Sequence, residues 1–198
     1  MSKPKVCSCS LSPYSKHSSM KTQVILVDTK DKPIGQMEKL EAHKKGLLHR
    51  ALSVFIFNSE GKMLIQRRAL SKYHTPGLWS NTACSHPMLG EETIDAARRR
   101  LKQEMGLSTN LTFSFSFIYK ASFDNGLIEN ELDHVFLGFS DDNPCYDVEE
   151  VCDYKYISPS DLLTDIVNSP QKYTPWLKIC LDKVLESKYY LHKNALIA

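Results

Sequence analysis

Cys84 and His86 stand one residue apart in the stretch NTACSHPMLGEETIDAARRRLKQEMGL, which runs from Asn81 to Leu107. A thiol beside an imidazole can give, take or relay a proton, and either group can bind a metal. Later in the stretch Arg100 and Glu104 are four apart, a spacing that puts both on one face of a helix. Ile94, Ala97 and Leu101 recur at steps of three and four on a different face, which is therefore apolar. Pro87 and Gly90 form a turn before that helix, Glu91 and Glu92 fall in its first turn, where the helix dipole favours acids, and Gly106 closes it. The stretch predicts a loop-to-helix corner where a sulfur, an imidazole, a guanidinium and a carboxylate meet.

A second set of residues suits a metal. His43, His49 and His86 are expected near strand ends. Glu129 and Glu131 sit two apart in GLIENEL, so a strand turns both to one side. Three imidazoles with two carboxylates match an octahedral site for a divalent ion of the Mn, Mg or Zn kind. The step from His43 to His49 matches no standard zinc spacing, and a lone His is more often a surface or capping residue, so the case rests on strand ends converging. Asp133 and His134, next in ENELDHV, are expected beside such a site as outer or structural residues. The basic residues Lys39, Arg68, Lys72 and Arg100 have solvated surface as their bland reading. Brought together they would grip a diphosphate, with Arg fitting it bidentately and Glu104 contributing a divalent ion.

The elements that must position these groups are readable in outline. Gln23 to Val27 and Ile34 to Glu38 read as a hairpin, and Ser53 to Phe57 with Met63 to Gln66 as a second strand pair around the turn Asn58–Lys62. Ala69 to Trp79 reads as a polar loop leading to Cys84. After the helix, Phe113, Phe115, Phe117 and Tyr119 alternate with other residues, which marks a strand with an aromatic face. Leu127 to Phe139 and Tyr154 to Ile157 are further strands. Ser158-Pro159-Ser160-Asp161 starts a helix with Ser as cap, and Thr174-Pro175 starts a final one reaching about Tyr190. Mixed strands with a few segregated helices predict an α+β fold or a small α/β/α sandwich.

Composition narrows the classes. Hydrophobic residues are 42% and charged residues 24% of the 198, as in a globular protein with one well-filled core. A net charge of +2 argues against nucleic-acid and membrane-surface partners, and no apolar run reaches the length of a membrane span. Residues 1–22 are rich in Ser and Lys, lack the apolar core of a signal peptide and read as a disordered tail. Residues 23–198 read as the single domain. The six cysteines are irregularly spaced, so free thiols and a cytoplasmic setting are expected, with Cys7 and Cys9 incidental.

The stretch from Asn81 to Leu107 resembles a Nudix box, a loop-helix-loop whose carboxylates hold a divalent metal against a diphosphate. Arg99 is retained, but Ser85 replaces the leading Gly, and Arg100 and Gln103 replace two of the acids, leaving Glu91 and Glu104. That loss argues against ordinary hydrolysis, which relies on the full carboxylate set. The strings EKLEAH, LLHRALSVFIFN, QRRALSK, WSNTACSHP, LGE, GLIENE and TPW are spread in order from Gln23 to about Leu185. They resemble the type I isopentenyl diphosphate isomerases of the Nudix superfamily.

The resemblance implies a Nudix-type α/β/α sandwich with a mixed sheet and an isomerase of isoprenoid biosynthesis that interconverts isopentenyl and dimethylallyl diphosphate. It implies that Cys84 and Glu131 transfer protons and that Tyr119 and Trp176 line the hydrocarbon pocket. His43, His49, His86, Glu129 and Glu131 would ligate Mn²⁺ or Zn²⁺. Glu104 would hold Mg²⁺ on the substrate diphosphate, and Lys39, Arg68, Lys72 and Arg100 would contact that diphosphate. The partner implied is a small allylic or homoallylic diphosphate, without nucleic acid or membrane, bound by a monomer or weak dimer. The chemistry agrees: protonating an unactivated alkene needs an acid on one face, a base at the neighbouring carbon, and shielding of a carbocation-like state from water. An aromatic face such as that of Trp176 can stabilise the developing charge by roughly 2 kcal/mol when desolvated. The rival from the same fold is a Nudix hydrolase of a nucleoside or other diphosphate. A second rival, a binding module without catalysis, would show a break among Cys84, Glu131, Tyr119 and Trp176.

Overall fold

Among the described residues, apolar runs with β-branched and aromatic residues build nine strands joined into one mixed sheet. The computed structural model describes residues 22–195, with side chains to 187. The expectations for the tail, for Cys7 and Cys9 therefore lie outside the described residues, Thr22 excepted. β1 (Gln23–Val27) and β2 (Pro33–Glu38) form the expected hairpin. β3 (His49–Phe57) is the hub: it runs parallel to β8 (Ile128–Phe139) along its whole length, from His49 opposite Glu131 to Phe57 opposite Phe139. β7 (Leu111–Ser122) flanks β8 antiparallel. On the other side β3 meets β4 (Met63–Arg68) only at Ile56 and Phe57, then diverges from it and takes β6 (Ala83–Ser85) as neighbour through Leu52 to Val54. β9 (Val151–Ile157) and the two-residue β5 (Trp79–Ser80) complete β4's pairing.

Helices cover both faces. Leu52, Val54, Ile56 and Phe136 pack on Ala97, Leu101 and Met105 of α2 (Thr93–Met105). Phe55, Phe57, Val135 and Leu137 pack on Leu177, Leu181 and Val184 of α4 (Pro175–Ala195). A parallel pair is buried on both faces, which is why LSVFIF reads as a continuous apolar run without alternation. α3 (Pro159–Asn168) has the expected Ser158 cap, whose hydroxyl accepts from the Asp161 N–H. The arrangement is an α/β/α sandwich with a mixed sheet. No helix among the described residues is long and apolar enough to cross a membrane.

Three local expectations are corrected. EKLEAHKK contains a helix, α1 (Lys39–Lys45), capped by the Glu38 carboxylate on the Leu40 and Glu41 N–H groups and closed by Gly46 at φ 59°. His43 is therefore on a helix and away from any strand end. The Cys84 corner is a short strand, β6, rather than loop. Of the acids before α2, Glu92 takes the N-cap position, Asp95 is the acid in the first turn, and Glu91 lies outside the helix. Gly106 does close α2 in the left-handed region at φ 70°, and a Cβ there would come within 2.4 Å of the Cys145 carbonyl, so no other residue fits.

Glu91 instead clamps the loop to α2. Its carboxylate accepts from Arg99 Nε at 2.7 Å and NH2 at 2.8 Å, and from the Met88 N–H at 2.8 Å. The Arg99 hydrogen bond is the main reason its carboxyl lies below the usual range; partial burial opposes the shift. A depressed folded pKa means stability that is full above the ordinary Glu value of about 4.3 and is lost as pH falls through the lower folded value. Arg99→Met should cost about 1 kcal/mol at neutral pH, and the cost should vanish in acid. Urea unfolding of both proteins at the two pH values checks this. A pH-independent difference would assign Arg99 a packing role only.

Candidate active site

Register in the sheet lines up the polar groups. Cys84 on β6 is opposite Ser53 on β3, His49 at the start of β3 is opposite Glu131 on β8, and Glu131 is opposite Tyr119 on β7. Glu129, Glu131 and Asp133 follow one another at every second residue of β8 and are all buried. Where β3 and β4 diverge, these groups, His49 excepted, line a cavity of about 270 Å³. Every residue predicted for the site lines it except His43 and His49, whose rings lie 5.9 and 5.1 Å from that of His86.

His43, His49, His86 and Glu131 each offer a ligand atom, and the four atoms lie within 4.8 Å of one another. All three Nε2 atoms face Glu131 Oε1, at 3.9, 3.4 and 3.0 Å. His49 Nδ1 lies 2.8 Å from the Leu47 carbonyl, so that nitrogen carries the proton and Nε2 presents its lone pair. Nε2 of both His43 and His49 is buried without a hydrogen-bond partner. Burial holds His86 neutral by lowering its pKa to about 3. Burial also opposes charge on His49, but the attraction of the Glu131 carboxylate 3.4 Å away outweighs it and raises its pKa. Burial likewise opposes ionisation of Glu131, and the facing imidazoles of His43, His49 and His86 overcome it, holding the carboxyl well below the usual range. Buried imidazole lone pairs converging on one carboxylate oxygen are the donor set of a divalent cation, and the residues fit one.

Glu129 has other partners here. Its Oε1 is 2.6 Å from His74 Nε2, and its Oε2 accepts from the Tyr119 hydroxyl at 2.7 Å. The same hydroxyl is 2.6 Å from Glu131 Oε2, so one phenolic proton is shared between two carboxylates. Asp133 accepts from Ser53 Oγ at 2.7 Å, and His134 pairs with Asp31 at 3.0 Å, so neither joins the histidine group.

Cys84 is half-buried, with its Sγ 3.8 Å from Arg68 NH1. Removal from water pushes its thiol up to about 12, with the nearby Arg68 guanidinium only partly opposing this, so the sulfur keeps its proton. No disulfide joins the four cysteines among the described residues. Trp176 at the start of α4 is buried, its indole N–H bonded to Ser80 Oγ at 2.9 Å and Asn81 Oδ1 at 3.0 Å. The Arg68 guanidinium lies 5.4 Å from the centre of its ring.

The other end of the cavity is ionic. Arg100 NH2 is 2.8 Å from Glu104 Oε1, and Gln66 donates to Glu104 Oε2 at 2.7 Å. Lys72 pairs with Glu150. Burial lowers the Lys39 pKa, with Glu131 and Glu129 opposing that shift.

Sequence reasoning missed His74, Gln66, Ser53 and Glu150. His74 lies in the loop read only as polar, which Arg68 folds back by donating to the Thr75 and His74 carbonyls at 3.2 Å each. Gln66 and Ser53 sit inside strand runs read for their apolar pattern. Glu150 reaches the cavity only because β9 pairs with β4. None of these carries a local signal beyond residue type.

A NUDIX domain model matches residues 47–177. An isopentenyl-diphosphate Delta-isomerase of Aromatoleum aromaticum is 48% identical over 169 residues, covering 85% of this chain and 89% of the relative. Another of the same name from Pectobacterium atrosepticum is 50% identical over 163 residues, covering 82% of this chain and 91% of the relative. Among solved structures, a protein of Deinococcus radiodurans superposes with a TM-score of 0.62 at 20% identity, covering 74% of this chain and 90% of that one. A MutT NUDIX hydrolase of Burkholderia pseudomallei gives 0.56 at 18% identity, covering 69% and 98%. At these identities the structural likeness speaks for the fold alone.

Proposed function

The chain belongs to the NUDIX family and, within it, to the isopentenyl-diphosphate Delta-isomerases, and on that premise we propose a role for each side chain in the cavity. The protein interconverts isopentenyl and dimethylallyl diphosphate, a step of isoprenoid biosynthesis, and its substrate is a small diphosphate. Double-bond migration adds a proton at one terminal carbon and removes one from the carbon two positions away. We assign these transfers to Cys84 and Glu131. The observation that carries the assignment is their difference in one cavity: a thiol held protonated and a carboxylate held ionised. One turnover leaves the pair with its proton exchanged, which is the starting state for the reverse direction.

Tyr119 orients Glu131 through its hydroxyl and shares its proton with Glu129. Trp176 presents an indole wall, anchored at its N–H edge, to the carbocation-like state, and Leu52 and Trp176 help exclude water. His43, His49, His86 and Glu131, with Glu129 as a fifth, are assigned to a Mn²⁺ or Zn²⁺ ion, and Glu104 to Mg²⁺ on the diphosphate. Such an ion supplies positive charge that tunes the proton affinity of Glu131. Lys39, Arg68, Lys72 and Arg100 are assigned to the diphosphate. The catalytic unit is residues 23–198 acting as one domain, a cytoplasmic monomer or weak dimer.

Proton NMR of isopentenyl diphosphate with the protein, Mg²⁺ and Mn²⁺ in D₂O tests the reading. Dimethylallyl methyl signals with deuterium incorporation and no free phosphate are expected. Unchanged alkene with phosphate released would place the chain among hydrolases. Trp176→Leu should lower kcat by about tenfold or more while moving KM less, because a cation-π contact of roughly 2 kcal/mol acts only once charge develops. A change confined to KM would contradict that role.

A further inference from the structure

Glu150 is a cavity carboxylate without a task in the scheme above. It immediately precedes β9, and its main chain is held on both sides: the carbonyl accepts from the Ala69 N–H at 3.0 Å, and its own N–H donates to the Asp147 carbonyl at 3.0 Å. Its side chain turns into the cavity, where Oε2 pairs with Lys72 Nζ and lies 3.3 Å from Arg100 NH2. One anionic oxygen thus sits between an ammonium and a guanidinium, the position a phosphate oxygen would take between the same two groups. Arg100 also pairs with Glu104, so two cations and two carboxylates neutralise one another at this end.

We propose that Glu150 is an internal competitor for the diphosphate: it holds two of the cations that the diphosphate must take, and substrate and product bind by displacing it. The inference rests on the reading that Lys72 and Arg100 hold the diphosphate. A diphosphate carries more charge than a carboxylate and can meet Arg100 bidentately, so it wins the exchange. The Glu150 side chain is 24% exposed, which leaves it a solvated place to turn to. The contact also keeps Lys72 and Arg100 directed at the cavity, so they need little reordering when the diphosphate arrives. Substrate and product share the diphosphate, so competition weakens both equally and speeds release without touching the chemistry at the alkene.

A competitor and a strut predict opposite signs. Inorganic diphosphate is titrated calorimetrically into the full-length, metal-loaded protein at fixed Mg²⁺, with thermal melts to verify folding. Glu150→Gln keeps the size and polarity of the side chain and removes its charge. It should bind diphosphate about five- to tenfold tighter, and KM for isopentenyl diphosphate should fall by a similar factor with kcat not raised. In a Lys72→Gln background the same change should gain less, since part of the competition is already gone. Unchanged or weaker binding by Glu150→Gln would overturn the proposal and make Glu150 a strut that aims the two cations. Unchanged binding by Lys72→Gln and Arg100→Gln would instead overturn the diphosphate assignment beneath it.

Discussion

Cys84→Ala should turn over isopentenyl diphosphate about 10²- to 10⁴-fold more slowly than the parent, the range set by loss of a positioned acid or base, with fold and metal content intact. The structure explains why the loss should be so selective. Cys84 lies on a three-residue strand whose main chain is held to β3 by the Ser53 register, and that pairing does not involve the sulfur. Its Sγ makes a weak contact with Arg68 NH1 at 3.8 Å. Truncation removes one half-buried atom beside a cavity that already exists, so only a small penalty in stability is expected. Cys84→Ser tests the chemistry more finely: a hydroxyl keeps the hydrogen-bonding pattern but gives up a proton far less readily than a thiol. It should recover little of the activity. Normal turnover by the alanine variant would refute the acid-base assignment, and loss of metal along with turnover would make Cys84 a support for the histidine cluster.

What the sequence made legible divides along range. Periodic patterns came through: ENELD alternates on β8 as expected, Ala97 and Leu101 line the buried face of α2, and Arg100 meets Glu104 one turn on. These depend on spacing within one element, which the chain writes locally. α1 has only seven residues, too few for a helical period to stand out, and its end is set by Gly46. β5 and β6 are shorter still, and form where β3 and β4 part: β6 pairs with β3 and β5 with β4. The site follows the same division. The predicted residues other than His43 and His49 meet in one cavity, yet the pairings among them come from the fold. Glu129 is joined to His74 because Arg68 folds a polar loop back over the carboxylates, and Glu150 reaches Lys72 through a strand pairing of distant segments. No local spacing encodes either contact.

Glu131→Gln should abolish turnover and strip the cluster of its divalent ion together. Oε1 of Glu131 is the point on which three imidazole Nε2 atoms converge, and a neutral amide cannot balance a dication there. Metal retained after dialysis, measured by elemental analysis, should fall by more than the roughly 10- to 100-fold that loss of an outer partner costs. Tyr119→Phe removes such an outer partner and should keep more metal while slowing turnover. The pH dependence carries a further sign. In the metal-free protein the raised pKa of His49 means that a second proton, taken up at the Nε2 that faces Glu131, stabilises the fold below the ordinary His value and that this contribution is lost as pH rises through the raised one. A divalent ion requires the neutral imidazole, so it must displace that proton and binds more tightly as pH rises. Metal-free protein should therefore lose this contribution with increasing pH, while the rise in Tm on adding Mn²⁺ grows over the same interval. Glu131→Gln should show neither trend. A Mn²⁺-induced rise in Tm that does not change with pH would mean that the ion binds without displacing the His49 proton, and would move it off the histidine cluster.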